Sequence, residues 1–509
     1  MADWGEGYVT DINYVSGFSP EMSPAWLAAT AALLGFDAPD TGRPYRYAEL
    51  GCGQGFGLAL LAAANPAGRF YGFDFNPAQT AHAQRLAESA GLANAEFHEA
   101  SFAQLAEAAD GDWPLFDFVA LHGVYSWVSR DNQQHIQTFM RRFLKPGGLA
   151  YISYNCAPGW AAMVPLRRLM RLYAERRPAL RSDIQGQEAL GFIQRLVEGG
   201  AAFFNANDIA GRLGHIAKQP GNYIPHEYLN RDWRIVDFAD MAEDCASAKL
   251  DYLGSATLAE NLDSASAPAG LLPLLAEADP VLRQTILDFA SNKGFRRDIY
   301  QKGLCRLTQQ EHQAAVGRIR LAALNIPADG AYSFKIPMGE AQGNPALYGP
   351  LLADLRAGEM SLAEMAASPA LAGMNFGTLV ETALMLVGAG YAHPCQTAVA
   401  APAFNRAVCV GVMDCRDYSF LAAPRIGGGV AVGFADALAA LVLAEAPDMG
   451  QEAFVDAAWR LLAQKDRRLV KDGVMLQTRQ DSVAELCAIY ANFHDNTRGR
   501  WRALGALPW

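Results

Sequence analysis

The sequence predicts an α/β protein built on a doubly wound, largely parallel sheet, and three observations carry that prediction. A glycine loop, AELGCGQGFG at 48–57, follows an extended run at 44–47 and opens into an apolar, Ala/Leu-rich helix at 58–64. Further short strand-like runs at 69–73, 95–99, 116–121 and 149–154 alternate with helix-patterned stretches such as 77–90 and 131–143. Strand–helix alternation of this length gives a parallel sheet covered on both faces, and ligands bind beyond the strand C-termini. Glu49, Asp74, Ser101, His122 and Asn155 all fall at those ends.

The loop comes first because its spacing selects the ligand. Gly51, Gly53 and Gly55 let the backbone take positive φ and bring N–H groups close to a ligand at a helix N-terminus, where the peptide dipoles are positive. A dinucleotide site uses G-x-G-x-x-G, with the third glycine one residue later. Here the run is E-x-G-x-G-x-G, with Cys52 between the first two glycines. Glu49, just ahead of the loop, would repel a pyrophosphate but could receive an ammonium group, which favours S-adenosylmethionine over NAD. The second strand ends at Asp74-Phe75, where a carboxylate can accept both ribose hydroxyls. The third ends at Ala100-Ser101-Phe102, suited by position to the adenine, and the fourth at His122-Gly123-Val124-Tyr125. Leu144-Lys145-Pro146-Gly147-Gly148 introduces the fifth.

With these five elements in order, the chain resembles the class I S-adenosylmethionine-dependent methyltransferases. The resemblance implies a Rossmann-like seven-stranded sheet that holds S-adenosylmethionine, releases S-adenosylhomocysteine and needs no metal. Cofactor contacts are then expected from Glu49, Gly51, Cys52, Gly53, Gly55, Asp74, Phe75, Ser101, Phe102, His122 and Gly123. In such enzymes the segment before the first strand folds over the cofactor, so Tyr14 is a candidate contact. The alternative is that Tyr8, Tyr14 and Phe18 only pack that segment down. Ser23-Pro24 is expected to cap a helix running through Leu34.

Composition narrows the function classes. At 509 residues the chain has room for two to four domains, and 51% hydrophobic with 19% charged residues describes a globular protein. There is no apolar run of ~18 residues and no charged-then-apolar leader, so neither a membrane span nor secretion is expected, and the setting is read as cytoplasmic. The eight cysteines form no CxxC pair or Cys/His cluster, so reduced thiols and no metal site are expected. A net charge of −11 argues against a sequence-independent nucleic-acid binder.

After the fifth strand, YNCAPGW at 154–160 turns into a helical region whose start is basic, at Arg167, Arg168, Arg171, Arg176, Arg177 and Arg181. It is expected to be an insertion above the site, with its charges on a solvated helix face. HEYLNRDW at 226–233, a helix at 237–249, and strands at 250–256 and 295–300 then complete the seven-stranded sheet. The motifs YNCAPGW, HEYLNRDW and FRRDIYQKG (295–303) resemble one branch, bacterial methyltransferases carrying a methyltransferase regulatory domain, whose characterised members include protein-lysine methyltransferases. That resemblance implies a catalytic domain, a middle region and a C-terminal winged-helix region. The divisions expected are 1–160 for the cofactor-binding core and its lid, 161–335 for the insertion, regulatory region and last strands, 336–400 for a winged-helix-like module, and 401–509 for a mainly helical remainder. KIPMGEAQGNP at 335–345 has linker composition. From Ile336 to Gln396 the only basic residue is Arg356, so the module is read as a protein-interaction or dimerisation unit that does not hold nucleic acid.

Methyl transfer from a sulfonium is an in-line displacement, and the protein's task is to hold the two partners and exclude water. A lysine acceptor must first lose a proton, so aromatic rings and hydrogen-bond acceptors should receive it. Tyr125, Trp127, Tyr154, Asn155 and Trp160 are of that type, and His122 is the best-placed base for a hydroxyl acceptor. The leading reading is a methyltransferase acting on protein lysine. The alternatives are a small-molecule or peptide O- or N-methyltransferase and a cofactor-binding regulator without catalysis.

Overall fold

The computed structural model describes residues 4–12, 16–206, 209–219, 221–328, 330–397, 399–471 and 473–509. Tyr14 lies outside the described residues. The centre is a seven-stranded sheet: β1 (Tyr45–Leu50), β2 (Gly68–Asp74), β3 (Ala95–Glu99), β4 (Phe116–Leu121), β5 (Leu144–Asn155), β6 (Leu250–Ser255) and β7 (Phe295–Lys302). Their order is β3-β2-β1-β4-β5-β7-β6. The first five are parallel, and β7 runs antiparallel to both β5 and β6. Strands that read as continuous apolar runs are those buried on both faces, as in β4, where Phe116, Phe118 and Val119 are fully buried. Strand order reverses between β1 and β4, which opens the ligand crevice of this topology beside the glycine loop. The seventh strand is reached only after a long insertion, as the sequence predicts.

On one face lie α1 (Pro24–Leu33), α2 (Phe56–Ala64) and α3 (Pro77–Ser89). On the other lie α4 (Phe102–Glu107), α5 (Arg130–Phe143) and the helix Phe238–Ser247. Pro24 occupies the first turn of α1, but Ser23 does not cap it. Its hydroxyl instead donates to the Gly427 carbonyl at 2.8 Å, tying α1 to the C-terminal region.

The insertion, α6 (Met163–Ala174), α7 (Ser182–Glu198) and short helices through Tyr223–Tyr228, closes a small core of its own around Met170, Ile193 and Ile224. Its basic start is a solvated face only in part. Arg167 is 5% exposed, donates to the Asn230 carbonyl, and lies over the rings of Trp233 and Trp127 at 4.9 and 5.8 Å. Burial, helped by Arg171, pulls its pKa down to about 10.

The stretch expected to be a linker at 335–345 is mostly a β-hairpin, Ser333–Ile336 against Gly339–Gln342, with Pro337-Met338 at its tip. The helices at Pro345–Ala357 and Phe376–Gly388 share one core with Val316 and Leu321. Leu321 belongs to Arg320–Ala323, the middle strand of a three-stranded sheet completed by Met360–Ser361 and Ala392–Pro394. The packing around these helices thus begins upstream of residue 336, because they need that strand to cover their apolar faces.

The C-terminal region is mostly helical (Pro402–Met413, Phe434–Glu445, Gln451–Gln464, Arg479–Asn492), with a hairpin of Phe420–Ala423 and Gly428–Ala431. It is not appended at a distance. Phe404, Leu421 and Val430 share the core of Phe56 and Leu60 on α2. Among the described residues, no helix is long and apolar enough to cross a membrane.

Candidate active site

The glycine loop is shaped by backbone demands. Gly51 N–H and Cys52 N–H both donate to the Phe73 carbonyl, at 2.7 and 3.1 Å, which draws the loop onto the end of β2. Gly53 N–H donates to one oxygen of Asp74 and Asn76 N–H to the other, each at 2.9 Å. Each oxygen therefore keeps a lone pair free for a ligand hydroxyl. Burial lifts the Asp74 pKa to about 6 against these two donors. Glu49, 8% exposed, has a carboxylate oxygen buried without a partner among the described residues. Burial first, and then the Asp74 charge, push it up to about 8.

A cavity of about 440 Å³ opens above the C-terminal ends of the strands. Its floor includes Gly51, Gly53, Asp74, His122, Gly123 and Asn155, and Phe75, Ser101 and Phe102 form one wall. Ser101 also caps α4, accepting from Gln104 N–H at 3.3 Å, which leaves its hydroxyl proton to donate. The N-terminal segment supplies a roof. Trp4 and Tyr8 pack on Phe75 with ring centroids 6.0 and 6.1 Å away, and Tyr8 borders the cavity.

S-adenosylmethionine, the cofactor implied by the sequence, fits this donor set. The orphaned Glu49 oxygen would receive the ammonium, the spare lone pairs of Asp74 the ribose hydroxyls, and Phe75 and Phe102 would flank the adenine. Asp74→Ala is expected to weaken its binding by about 1–3 kcal/mol, read by calorimetric titration. The variant also strips Gly53 N–H and Asn76 N–H of their acceptors.

The remainder of the cavity is aromatic. Trp127 and Trp160 enter from the β4 and β5 loops, Tyr223 from the insertion and Phe295 from the start of β7. Trp233 backs Trp160 and Trp127, at 5.5 and 6.0 Å. Asn155 lines the cavity with its Nδ2 buried and without a partner among the described residues. His122 Nδ1 is hydrogen-bonded to Tyr151 Oη at 2.9 Å, and Nε2 to Ser19 Oγ at 3.1 Å. Burial, aided by Arg297, holds its pKa down to about 4. His122 is thus a neutral ring engaged at both nitrogens, poorly suited to take a proton.

Tyr125 and Tyr154, expected at the acceptor side, do not line the cavity. Tyr154 donates to Asp298 at 2.6 Å and Tyr125 to Asp244 at 2.8 Å, both fully or almost fully buried. Strand alternation explains Tyr154: its neighbours Ser153 and Asn155 face the site side, where Ser153 Oγ accepts Gly123 N–H at 2.8 Å. Cys52 and Gly55 also fall outside the lining. Cys52 is half-buried, with desolvation raising its thiol well above the usual pKa, and a Cβ on Gly55 would lie 2.3 Å from that of Ala83, so this glycine permits α2 to approach α3.

Tyr8, Gln79, Tyr223, His226 and Glu227 line the cavity without having been singled out as site residues. The HEYLNRDW motif held a signal for two of them, since two titratable side chains sit side by side in it. Burial and the carboxylates of Asp74 and Glu227 raise the Tyr8 hydroxyl above its usual pKa.

Residues 43–192 match a family described as a methyltransferase domain, and residues 220–302 one described as a predicted methyltransferase regulatory domain. The uncharacterised protein sll1526 of Synechocystis is 34% identical over 502 residues, which cover 96% of this chain and 97% of that one. RP789 of Rickettsia prowazekii is 29% identical over 299 residues, 57% of this chain and 53% of its own. Among solved structures, PKMT2 from Rickettsia typhi aligns with a TM-score of 0.69 at 18% identity over 96% of this chain and 99% of that one. Its complex with AdoHcy aligns with the same score at 19% identity. At these identities the likeness is one of fold.

Proposed function

Since the chain belongs to the class I S-adenosylmethionine-dependent methyltransferases that carry a methyltransferase regulatory domain, we propose that it methylates lysine side chains of a protein. The observation that carries this reading is the pairing of an aromatic acceptor side with a histidine unfit to be a base. Bound S-adenosylmethionine supplies a methyl group on a sulfonium, open to in-line displacement by an amine. A hydroxyl acceptor would need a general base, and His122, neutral and engaged at both nitrogens, is a poor one.

A lysine amine needs a different environment. Losing its proton at pH 7 costs roughly 4–5 kcal/mol in water, and desolvation between rings lowers that cost. Trp127, Trp160 and Tyr223 would provide the desolvation and hold the methylated ammonium by cation–π attraction. Asn155 would orient the nucleophile with its side-chain amide. The segment bearing Trp4 and Tyr8 would act as the lid over the cofactor and exclude water. A protein acceptor is supported by the resemblance of the motifs at 154–160, 226–233 and 295–303 to a branch that includes protein-lysine methyltransferases, and the fold is shared along nearly the whole of PKMT2 from Rickettsia typhi.

The test is incubation with labelled S-adenosylmethionine and fractionated bacterial proteins, followed by mass mapping. Label in acid-precipitable protein, with one-methylene mass steps on lysine, is expected. Label in the small-molecule or peptide fraction would overturn the lysine reading. Binding without turnover in every fraction would indicate a regulator without catalysis.

A further inference from the structure

The cofactor loop is held from the C-terminal region as well as from the sheet. His82, on α3, has Nδ1 2.9 Å from the carbonyl oxygen of Gln54, inside the glycine loop. Its Nε2 lies 3.0 Å from the hydroxyl of Tyr418. A carbonyl only accepts, so Nδ1 carries the hydrogen, and in the neutral ring Nε2 accepts from the tyrosine. The result is a directed chain from Tyr418 through His82 to the Gln54 carbonyl. Tyr418 is 8% exposed and stacks on Phe56, the first residue of α2, with centroids 4.7 Å apart and planes 9° apart. Gly411 makes room for the ring, since a Cβ there would lie 2.6 Å from it.

The residues on either side of Tyr418 grip the N-terminal segment. Asp417 accepts Ser16 N–H at 2.7 Å, and Phe420 meets Phe18 edge-on at 5.4 Å. Ser19, one residue beyond Phe18, is the partner of His122 in the cavity floor. One short stretch of the C-terminal region therefore contacts both the loop under the cofactor and the strap leading to its roof.

We propose that Tyr418 is a positioning residue for the cofactor loop, so that the C-terminal region sets cofactor affinity through the Tyr418–His82–Gln54 chain. This rests on the assignment of the cavity to S-adenosylmethionine. Without the hydroxyl, His82 loses the donor to Nε2 that fixes its ring, and the Gln54 carbonyl samples positions that move the Gly53 amide off Asp74.

The full-length protein is titrated calorimetrically with S-adenosylhomocysteine as wild type, Tyr418→Phe, His82→Ala, the double variant and Tyr490→Phe. The last removes a comparable hydrogen bond, Tyr490 Oη to the Met449 carbonyl at 2.9 Å, within the C-terminal region and away from the loop. Tyr418→Phe keeps the stack and is expected to raise Kd about three- to tenfold, the range for one net hydrogen bond. Tyr490→Phe should leave Kd unchanged, and the double variant should bind no worse than His82→Ala alone. Wild-type affinity in Tyr418→Phe, an equal loss in Tyr490→Phe, or additive losses in the double variant would each overturn the proposal. Failure of the wild-type protein to bind would instead fall on the cofactor assignment.

Discussion

Glu49→Gln is expected to weaken S-adenosylmethionine binding about tenfold to a hundredfold, as for a lost charge-assisted hydrogen bond, while making the free protein more stable at alkaline pH. Both effects come from one buried carboxyl. In the free protein burial and the Asp74 charge raise it to about 8, so near neutrality it is held mostly protonated. Its folded-state pKa lies above the ordinary 4.5, so the unfolded chain gives up this proton first. The stability contributed by Glu49 is fully present below about pH 4.5 and is lost as the pH rises to about 8. Glutamine has no such slope. A cationic ammonium favours the ionised form, so binding releases a proton and affinity climbs as the pH approaches 8. At pH 7.5 Asp74, at about 6, is already ionised, and the released proton belongs to Glu49. Titration in two buffers of different ionisation enthalpy reads it: the wild type should release more protons per cofactor bound than Glu49→Gln, in which only the cofactor's own amine exchanges a proton. Equal affinity and equal buffer dependence in the variant would refute the role.

The part of the cavity around the glycine loop is legible in the sequence because its features are local. The glycine spacing, Glu49 before the loop and Asp74 at the end of β2 are all fixed within about 25 residues of one another, and a β-strand followed by a helix leaves little freedom in where such residues point. Even the displaced strands β6 and β7 were readable, since alternation and apolar content survive insertion. The aromatic part of the cavity is less legible, for two physical reasons. Tyr154 and Asn155 are adjacent in sequence but face opposite ways in a strand, so residue type alone could not say which of them meets the cavity. Tyr125 follows a positive-φ glycine, Gly123, and starts a 3₁₀ turn, Tyr125–Trp127, that sends it to Asp244 while Trp127 turns inward. The N-terminal roof is expected from the sequence as a segment, but that Tyr8 in it borders the same cavity as Tyr223 of the insertion is hidden by the about 215 residues of chain between them.

The C-terminal region illustrates a further limit. Its helices at 434–445 and 451–464 are visible in the sequence pattern, but no motif there announced contact with α2. What joins them is a set of ordinary apolar residues, Leu421 and Val430 against Leu60, with Tyr418 on Phe56. Contacts of this kind have no sequence signature because any apolar surface of the right shape serves. Likewise, KIPMGEAQGNP has the Gly, Pro and polar content of a linker, and a tight hairpin draws on the same residues.

Gly53→Val is expected to cost more than a hundredfold in cofactor affinity with the fold retained, whereas Gly55→Ala should lower thermal stability. The two glycines are two residues apart and do different work. Gly53 has φ +56°, lines the cavity, and among the described residues a Cβ on it would meet only Gln79 Oε1, at 3.3 Å, the movable end of a side chain. A β-branched residue in that left-handed conformation costs of order 1–3 kcal/mol, and relieving it rotates the N–H away from Asp74. The isopropyl group would also occupy cavity volume beside Asp74, one of the two carboxylates proposed to hold the ligand. Gly55, at φ +71°, faces inward, where a Cβ would stand 2.3 Å from that of Ala83 and 2.6 Å from the Phe97 ring. No side chain there can yield, so α2 and α3 must separate, at about 1–3 kcal/mol for overpacking. Calorimetric titration alongside thermal melts distinguishes the two outcomes. Wild-type affinity in Gly53→Val would mean that the loop does not face the cofactor. A wild-type melting temperature in Gly55→Ala would mean that α2 and α3 have more slack than their packing shows.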